Sequence, residues 1–258
     1  MIRVLVNGAL GRVGSEVVKK VWAEPDLELA NVVDAKEGTI NLEGNVVFGV
    51  DTDLEHAIKN SAPDVVVDFT RPNVVMGTLR KVLKLGVHAV VGTTGFTDAD
   101  LKELDELARA NNTAVLIAPN FALGAVVMMK LACEAAKYFP HVEIIEKHHD
   151  KKLDAPSGTA IITAQKISEV REAMKQGNPE EKESMKGARG ADFEGMRIHS
   201  IRLPGYVASQ EVVFGGDGET LKIINDPVSR ECYMPGVALG CRKIKDYTGL
   251  VYGLDKML

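Results

Sequence analysis

Two adjacent histidines, two adjacent lysines and a Ser-Gly-Thr turn crowd into the segment IIEKHHDKKLDAPSGTA, residues 144–160. Such residue types could build a metal site, an acid–base site or an anion-binding site, or could form only a charged surface loop. Neighbouring residues of an extended segment point to opposite faces, so His148 and His149 cannot readily share one tetrahedral ion. No cysteine and no HExxH pattern lies nearby. We therefore expect no bound metal here.

The DAPSGT run in this segment favours an anion-binding site over a charged loop. Pro156 and Ser157 are typical of a helix start, with Ser157 as the N-cap residue. Gly158 and Thr159 would then offer backbone N–H groups at the positive end of a helix dipole, which suits a carboxylate or phosphate. Neighbouring His and Lys side chains could transfer a proton near neutral pH. The segment therefore suits an anionic small molecule that is protonated during reaction, with an ordinary capped helix as the alternative.

A second candidate site is the glycine-rich run NGALGRVG at residues 7–14. Gly8, Gly11 and Gly14 follow an apolar strand and precede a helix, and such glycines let backbone N–H groups approach a pyrophosphate. Asp34 follows twenty residues after Gly14, where an acid can bind the ribose hydroxyls of an adenosine. We therefore predict dinucleotide binding, with a plain strand–helix turn as the alternative.

The choice between NAD and NADP stays open at this point. Asp34 favours the free 2'-hydroxyl of NAD. Arg12 and Lys36 could reach the 2'-phosphate of NADP, or they could be solvated surface charges. We expect the cofactor to be NADH, NADPH or both.

The elements that must position these residues change character near Asn120. Before it, short continuous apolar runs alternate with helices, which is typical of a parallel sheet covered on both faces. The predicted strands of this half span residues 2–7, 27–34, 63–70, 86–94 and 113–120. The sequence therefore predicts a doubly wound α/β domain of Rossmann type, whose ligands bind beyond the carboxyl ends of the strands. Three further runs lie at such ends, namely DFTRP (68–72), GTTGF (92–96) and APNFALG (118–124).

The second half of the sequence predicts an α+β domain with a mixed sheet. A helix over 124–138 leads into a strand over 142–149, and a second helix runs over 157–174. A polar loop, three strands and a last helix follow, at residues 175–195, 196–204, 207–214, 220–225 and 229–246.

Composition excludes several classes of function. The chain has 258 residues, 45% of which are apolar, and a net charge of -5. Its net charge therefore gives no electrostatic attraction to nucleic acid or to an anionic membrane. No apolar run is long enough to span a bilayer. The first residues already form a strand rather than a signal peptide, and the three cysteines are far apart. We expect a cytoplasmic protein without disulfides that acts on a small molecule.

Five runs together resemble the 4-hydroxy-tetrahydrodipicolinate reductase family, also called dihydrodipicolinate reductases. They are GALGRVG, DFTRP, GTTGF, APNFALG and EKHHDKKLDAPSGTA, in this order between residues 8 and 160. The resemblance covers nearly the whole chain. The resemblance implies reduction of a cyclic dicarboxylate imine to tetrahydrodipicolinate by NADH or NADPH, in the diaminopimelate route to lysine. It also implies a homotetramer joined through the sheet of the second domain.

The resemblance also assigns roles to residues of this sequence. It implies that His148 and Lys152 are the catalytic acid–base pair, and that the substrate carboxylates are bound by His149, Gly158 and Thr159. Cofactor contacts are implied for Gly8, Ala9, Leu10, Gly11, Arg12, Val13, Asp34, Gly92, Thr93, Thr94, Ala118, Pro119, Asn120 and Phe121. The implied domains are a dinucleotide-binding domain over 1–122, to which a C-terminal helix over 234–258 returns, and a substrate-binding and oligomerisation domain over 123–233.

Two residues depart from the family pattern. Ala122 stands where the family often has serine, and Asn225 where histidine is more usual, which puts only finer substrate or interface contacts in doubt. Two alternatives share the first domain: a different nicotinamide dehydrogenase, such as one for an amino acid, and a nucleotide-sensing regulator. The dehydrogenase would not need the DAPSGT turn, and the regulator would bind NAD(P)H tightly without turnover.

Overall fold

Short strands and helices alternate along the chain in the computed structural model, which describes residues 1–258. The strands are β1 (Ile2–Asn7), β2 (Leu27–Val33), β3 (Gly38–Leu42), β4 (Val46–Val50), β5 (Val65–Asp68), β6 (His88–Val91), β7 (Ala114–Ile117), β8 (His141–His148), β9 (Ala191–Phe193), β10 (Met196–Arg202), β11 (Ala208–Gly216), β12 (Glu219–Asn225) and β13 (Gly249–Tyr252). The α-helices are α1 (Gly14–Ala23), α2 (Leu54–Ser61), α3 (Pro72–Lys84), α4 (Asp98–Ala110), α5 (Leu123–Ala136), α6 (Gly158–Ser168) and α7 (Met234–Lys243). None of them combines the length and apolar character needed to cross a bilayer.

These elements form two units. The first unit consists of Met1–Ala122 together with Tyr233–Leu258, and the second consists of Leu123–Cys232. Each unit has its own sheet and its own buried side chains.

The first unit is built on a six-stranded parallel sheet, as the alternating apolar runs predict. Its strand order is β13-β7-β6-β5-β1-β2, and every neighbouring pair is parallel. The side chains at positions 4–6 of β1 and 65–67 of β5 have no exposed surface. Strands that are buried on both faces need helices on both sides of the sheet, and the predicted doubly wound fold is confirmed.

Helix α1 begins directly after the glycine-rich run. Its residues Val17, Val18 and Val21 lie on one face at helical spacing, and all three are buried. This packing fixes the helix, so the N–H groups of its first turn lie at the glycine loop.

Residues 35–62 form elements that the apolar pattern does not predict. Strands β3 and β4 pair antiparallel around Gly44 and Asn45, whose φ angles of 82° and 59° are left-handed. Such residues suit a tight hairpin turn. Helix α2 follows, and the side chain of its N-cap residue Asp53 accepts hydrogen bonds from the N–H groups of Glu55 and His56.

The C-terminal segment corrects the expectation of one helix over 234–258. Helix α7 ends at Lys243, and the chain then adds β13 to the edge of the parallel sheet. Gly249 and Gly253 have φ angles of 89° and 93°, which a right-handed helix cannot accommodate. The segment returns to the first unit as a helix followed by a strand.

Charged pairs fasten this segment within the first unit. The guanidinium of Arg242 donates to both carboxylate oxygens of Asp26 at 2.7 Å and also to Glu24. Lys245 Nζ donates to Asp64 at 2.7 Å. The hydrogen bond from Arg242 holds the pKa of Asp26 at about 2.

The second unit holds the mixed sheet that the sequence predicts. Its strand order is β12-β11-β8-β10-β9, in which only β8 and β10 pair in parallel. Val142 and Ile144 of β8 lie opposite Phe214 and Val212 of β11, and all four are buried. Helix α6 packs against β8, and helix α5 packs against α6, β11 and β12.

Two boundaries in the second unit differ from the predictions. Helix α6 ends at Ser168 rather than at 174, because Ile167 is its last buried apolar residue and the chain then turns. In this turn, the guanidinium of Arg171 donates to the carbonyl of Met174. The predicted loop over 175–195 contains the short strand β9, which pairs antiparallel with β10.

Candidate active site

A cavity of about 1270 Å³ lies at the carboxyl ends of β1, β2 and β5 in the first unit. Five predicted cofactor residues line it, namely Gly8, Leu10, Gly11, Arg12 and Asp34. This is the end of a doubly wound sheet at which nucleotides bind. The cavity is therefore the candidate dinucleotide site.

The glycine loop is tightly packed against neighbouring backbone. Gly8 has a φ of 85°, and its N–H donates to the carbonyl of Val33 at 2.9 Å. The N–H of Gly11 donates to the carbonyl of Gly8 at 3.0 Å. A Cβ at position 14 would lie 2.8 Å from the carbonyl carbon of Gly8, so only glycine fits there. The G-x-x-G-x-x-G spacing thus builds one compact turn at the start of α1.

Asp34 joins the glycine loop to the end of β2. One carboxylate oxygen accepts from the N–H of Leu10 at 2.9 Å, and the other accepts from the N–H of Ala35 at 2.7 Å. Four exposed cations surround the same cavity, namely Arg12, Lys36, Arg71 and Lys81. An acid that could bind ribose hydroxyls and cations that could bind phosphates therefore occur together.

A buried hydrogen-bond network lies beneath this loop. Asp68 ends β5 with no exposed surface, and it accepts from the side chains of Asn7 at 2.8 Å, Thr70 at 2.8 Å and Thr93 at 3.2 Å. Burial raises the pKa of Asp68, although hydrogen bonds from Thr70, Asn7 and Thr93 oppose the rise. The network ties β1 and β5 to the loop after β6.

The remaining predicted cofactor residues do not line this cavity. They are Ala9, Val13, Gly92, Thr93, Thr94, Ala118, Pro119, Asn120 and Phe121. The last seven follow β6 and β7 at the same edge of the sheet. A Cβ at position 92 would meet the ring of Phe69, and that ring packs on Phe121 with 5.8 Å between centroids. Gly92 and Phe121 thus shape the wall around Phe69, which does line the cavity.

The second unit brings the predicted proton-handling histidine to the start of helix α6. His148 ends β8, and its Nδ1 lies 2.5 Å from a carboxylate oxygen of Glu146. The other carboxylate oxygen of Glu146 accepts from the N–H of Ser157 at 3.2 Å. Ser157 is the N-cap residue of α6, as predicted, and its hydroxyl accepts from the N–H of Ala160 at 3.2 Å.

Groups that could bind an anion cluster at this helix start. A Cβ at Gly158 would meet nothing within 4 Å, so the backbone there is open to a ligand. Gly158 and Thr159 are the first two residues of α6, where the helix dipole places partial positive charge. Nδ1 of His149 is buried without a hydrogen-bond partner, and such an atom is the kind that a bound ligand satisfies.

Lys152 follows in the loop between β8 and α6. Its Nζ donates to both carboxylate oxygens of Asp154, at 2.7 and 2.8 Å, and not to His148. The bond from Lys152 holds the pKa of Asp154 below its usual range. No group of three or more His, Cys, Asp or Glu side chains has the arrangement of a metal site.

Sequence reasoning missed several residues of both sites. Arg71 and Lys81 line the cavity, and Arg71 could have been found from its place in DFTRP. Glu146 and Arg202 lie behind His148, with Arg202 donating to both oxygens of Glu146 at 2.8 and 2.6 Å. No local pattern signals Arg202, because it lies on β10, 56 positions from Glu146.

Two family models cover the chain. One is described as dihydrodipicolinate reductase, N-terminus, and matches residues 2–121. The other is described as dihydrodipicolinate reductase, C-terminus, and matches residues 124–258. Their boundary falls between the two units.

Individual proteins agree with the family models. The chain is 52% identical over 262 residues to the 4-hydroxy-tetrahydrodipicolinate reductase of Listeria monocytogenes serotype 4b, with all of both chains covered. It is 52% identical over 260 residues to the protein of that name from Enterococcus faecalis, again over the whole of both. Among solved structures, it is similar to the dipicolinate-bound dihydrodipicolinate reductase from Paenisporosarcina sp. TG-14, with 45% identity, a TM-score of 0.93 and full coverage of both chains. The chain belongs to the dihydrodipicolinate reductase family and is an oxidoreductase of this kind.

Proposed function

We propose that this chain reduces 4-hydroxy-tetrahydrodipicolinate, or its dehydrated form dihydrodipicolinate, to tetrahydrodipicolinate in the diaminopimelate route to lysine. Since the chain belongs to this family, one observation of the structure carries the proposal. Glu146 hydrogen-bonds His148 and the N–H of Ser157, so a side chain that could transfer a proton lies beside a helix start that could bind an anion. A diacid that must be protonated needs both features.

The residues of the first unit fit a nicotinamide dinucleotide. The loop from Gly8 to Val13 would hold the pyrophosphate, and Asp34 would hold the adenosine ribose. The turn at 92–94 and the run at 118–121 would border the nicotinamide end. When bound, the reduced cofactor would supply hydride. Arg12 and Lys36 line the cavity beside Asp34, which supports use of both NADH and NADPH.

The second unit would bind the substrate through its two carboxylates. His149, Gly158 and Thr159 are the proposed ligands, since Nδ1 of His149 is buried without a hydrogen-bond partner and the start of α6 is the positive end of its helix dipole. A solved relative is described with dipicolinate bound, and dipicolinate is a planar dicarboxylate of similar shape.

His148 and Lys152 are the proposed acid–base pair. Reduction of a conjugated imine leaves electron density on the ring that must be protonated, and a positioned acid lowers that barrier. Lys152 Nζ is bound to an exposed carboxylate, Asp154, which a substrate carboxylate could replace as its partner.

Assembly and location extend the proposal. We place the chain in the cytoplasm as a homotetramer joined through the sheet of the second unit. The edge strand β12 supports this, because Leu221 and Ile224 are apolar and remain 37% and 56% exposed. Light scattering of the purified chain would give the mass of a tetramer, whereas a monomer mass would exclude this assembly.

A coupled assay tests the proposed function. Aspartate semialdehyde, pyruvate and the preceding synthase would generate the substrate, and loss of NADH or NADPH absorbance would be followed. We expect oxidation only when all of these and the purified chain are present. Tight NADH binding without oxidation would instead indicate a nucleotide-sensing regulator. Oxidation or reduction with an amino acid in place of the substrate would indicate a different dehydrogenase.

A further inference from the structure

Glu146 is the most heavily bonded side chain near the proposed acid–base pair. It lies on β8 with no exposed surface. Its two oxygens accept from His148 Nδ1 at 2.5 Å, from the Arg202 guanidinium at 2.6 and 2.8 Å, and from the Ser157 N–H at 3.2 Å. One buried carboxylate thus joins β8, β10 and the start of α6.

The charge of this carboxylate determines which ring nitrogen of His148 carries the hydrogen in their contact. Burial raises the pKa of Glu146, but hydrogen bonds from His148, Arg202 and Ser200 outweigh this effect and bring the pKa to about 2. Glu146 is therefore ionised at neutral pH and can only accept hydrogen bonds. Nδ1 of His148 must then be the donor, which leaves Nε2 as the ring nitrogen that exchanges a proton.

We propose that Glu146 is a positioning residue that fixes the ring tautomer of His148 and holds the ring against the start of α6. The inference rests on the proposed function, since it assumes that His148 handles a proton of the substrate. Glu146 itself has no exposed surface, so it acts through His148 and not on the substrate. A carboxylate behind an imidazole is a common way to set the ring's tautomer and orientation.

Arg202 extends the same network to the loop that carries Lys152. Besides its two bonds to Glu146, its Nη2 donates to the carbonyl of Asp154 at 2.8 Å. The side chain of Asp154 in turn holds Lys152. The pair of Glu146 and Arg202 therefore supports both proposed proton-handling residues. The Glu146 side chain contacts His148 directly, and Arg202 holds the backbone carbonyl of Asp154, the residue whose side chain binds Lys152.

A purely structural ion pair is the competing explanation, and the chain offers a matched control for it. Glu143 lies on the same strand and accepts from Arg189 at 2.5 Å and from His199 Nε2 at 2.7 Å. Like Glu146, it is a carboxylate between an arginine and a histidine, although it has no partner equivalent to the Ser157 N–H and its side chain is 30% exposed. It lies an odd number of residues from Glu146, hence on the opposite face of β8, away from the proposed site.

The test compares Glu146→Gln, Glu143→Gln and the double variant Glu146→Gln/Arg202→Met. Thermal stability, NADH affinity, KM and kcat would be measured for each, with light scattering to verify an unchanged oligomer. The double variant removes the buried charge of Glu146 together with the partly buried charge of Arg202, so no unpaired guanidinium is left to unfold it. Ring-nitrogen NMR of neutral His148 in the unaltered protein gives a readout that does not depend on any substitution.

We expect kcat to fall on the order of 100-fold in Glu146→Gln with NADH affinity nearly unchanged, and little change of kcat in Glu143→Gln. The double variant should regain stability but not kcat, and the NMR should show the Nδ1–H tautomer. Recovery of kcat together with stability would overturn the inference, because Glu146 would then serve only as a partner for Arg202. An Nε2–H tautomer would overturn it as well. Failure of the proposed function is distinct, since the unaltered protein would then show no turnover of the diacid at all.

Discussion

Replacing Gly14 by alanine perturbs the proposed dinucleotide loop at its tightest point. An alanine Cβ would lie 2.8 Å from the carbonyl carbon of Gly8 and 3.2 Å from Cα of Ala9, and closer still to the Gly8 oxygen. The backbone of Gly8 cannot readily shift to relieve this clash. It is bonded to the carbonyl of Val33 and lies close to the backbone of Phe69 on its other side. The clash must therefore move the loop itself.

The size of the effect follows from this geometry. Overpacking of a well-packed site costs about 1–3 kcal/mol, and a backbone clash with no flexible side chain to yield belongs at the upper end. We expect Tm to fall by roughly 2–4 °C for each kcal/mol in a chain of this size. If the same displacement misaligns the N–H groups that meet the pyrophosphate, NADH affinity falls about tenfold for each 1.4 kcal/mol.

Thermal unfolding and titration with NADH, followed by its fluorescence, would measure both effects. Gly49→Ala is the control, because Gly49 lies in β4 and its Cβ would meet nothing within 4 Å. We expect the control to match the unaltered protein in Tm and NADH affinity. A Gly14→Ala variant with an unchanged Tm and unchanged NADH affinity would refute the reasoning about this loop.

Three further predictions address the cofactor preference, the acid–base pair and the C-terminal segment. Asp34→Asn keeps an acceptor for the N–H of Leu10 but removes the negative charge. Titrations with each cofactor should show that NADH affinity falls about tenfold and NADPH affinity less. Equal losses of affinity for NADH and NADPH would remove the case for a ribose-binding acid. Lys152→Ala should lower kcat about 100-fold or more with NADH affinity unchanged. The control is Lys151→Ala, at an exposed neighbouring residue, which should have the kcat of the unaltered protein. Equal kcat values for the two variants would contradict the assignment of Lys152. Arg242→Ala should lower Tm at neutral pH, because Arg242 stabilises the ionised form of Asp26 in the folded protein and so lowers the pKa of Asp26 from 3.8 to about 2. This contribution to the stability of the fold is present above pH 3.8 and is lost as the pH falls toward about 2. The Tm difference between Arg242→Ala and the unaltered protein should therefore shrink over that range, and a constant difference would contradict the pairing.

The sheet of the first unit could be predicted because its central strands β1, β5, β6 and β7 are largely buried. Continuous apolar runs such as those of β1 and β5, when they alternate with helices, indicate a parallel sheet that helices cover on both faces. The hairpin of β3 and β4 could not be predicted because half of its residues are exposed. Strand β13 could not be predicted because the break in the expected helix depends on the backbone of its first residue, Gly249, whose φ is 89°.

The candidate sites could be predicted only as far as their residues are close in sequence. His148, His149 and the Ser157 cap occur in one segment, so their types and spacing already indicate acid–base and anion chemistry. Glu146 looks like a surface residue of a strand, since its burial depends on Arg202, which β10 brings to it from 56 positions away. Long-range charge pairing of this kind leaves no periodic signal in the sequence.

Transfer of deuterium from labelled NADH to the substrate tests the central claim most directly. The purified chain would be given NADH deuterated at the transferable position, with the cyclic dicarboxylate imine generated in place, and the product mass would be measured. The proposed function predicts tetrahydrodipicolinate that carries one deuterium for each NADH oxidised. Unlabelled product, or oxidation of NADH that continues without the dicarboxylate, would contradict hydride transfer to that substrate.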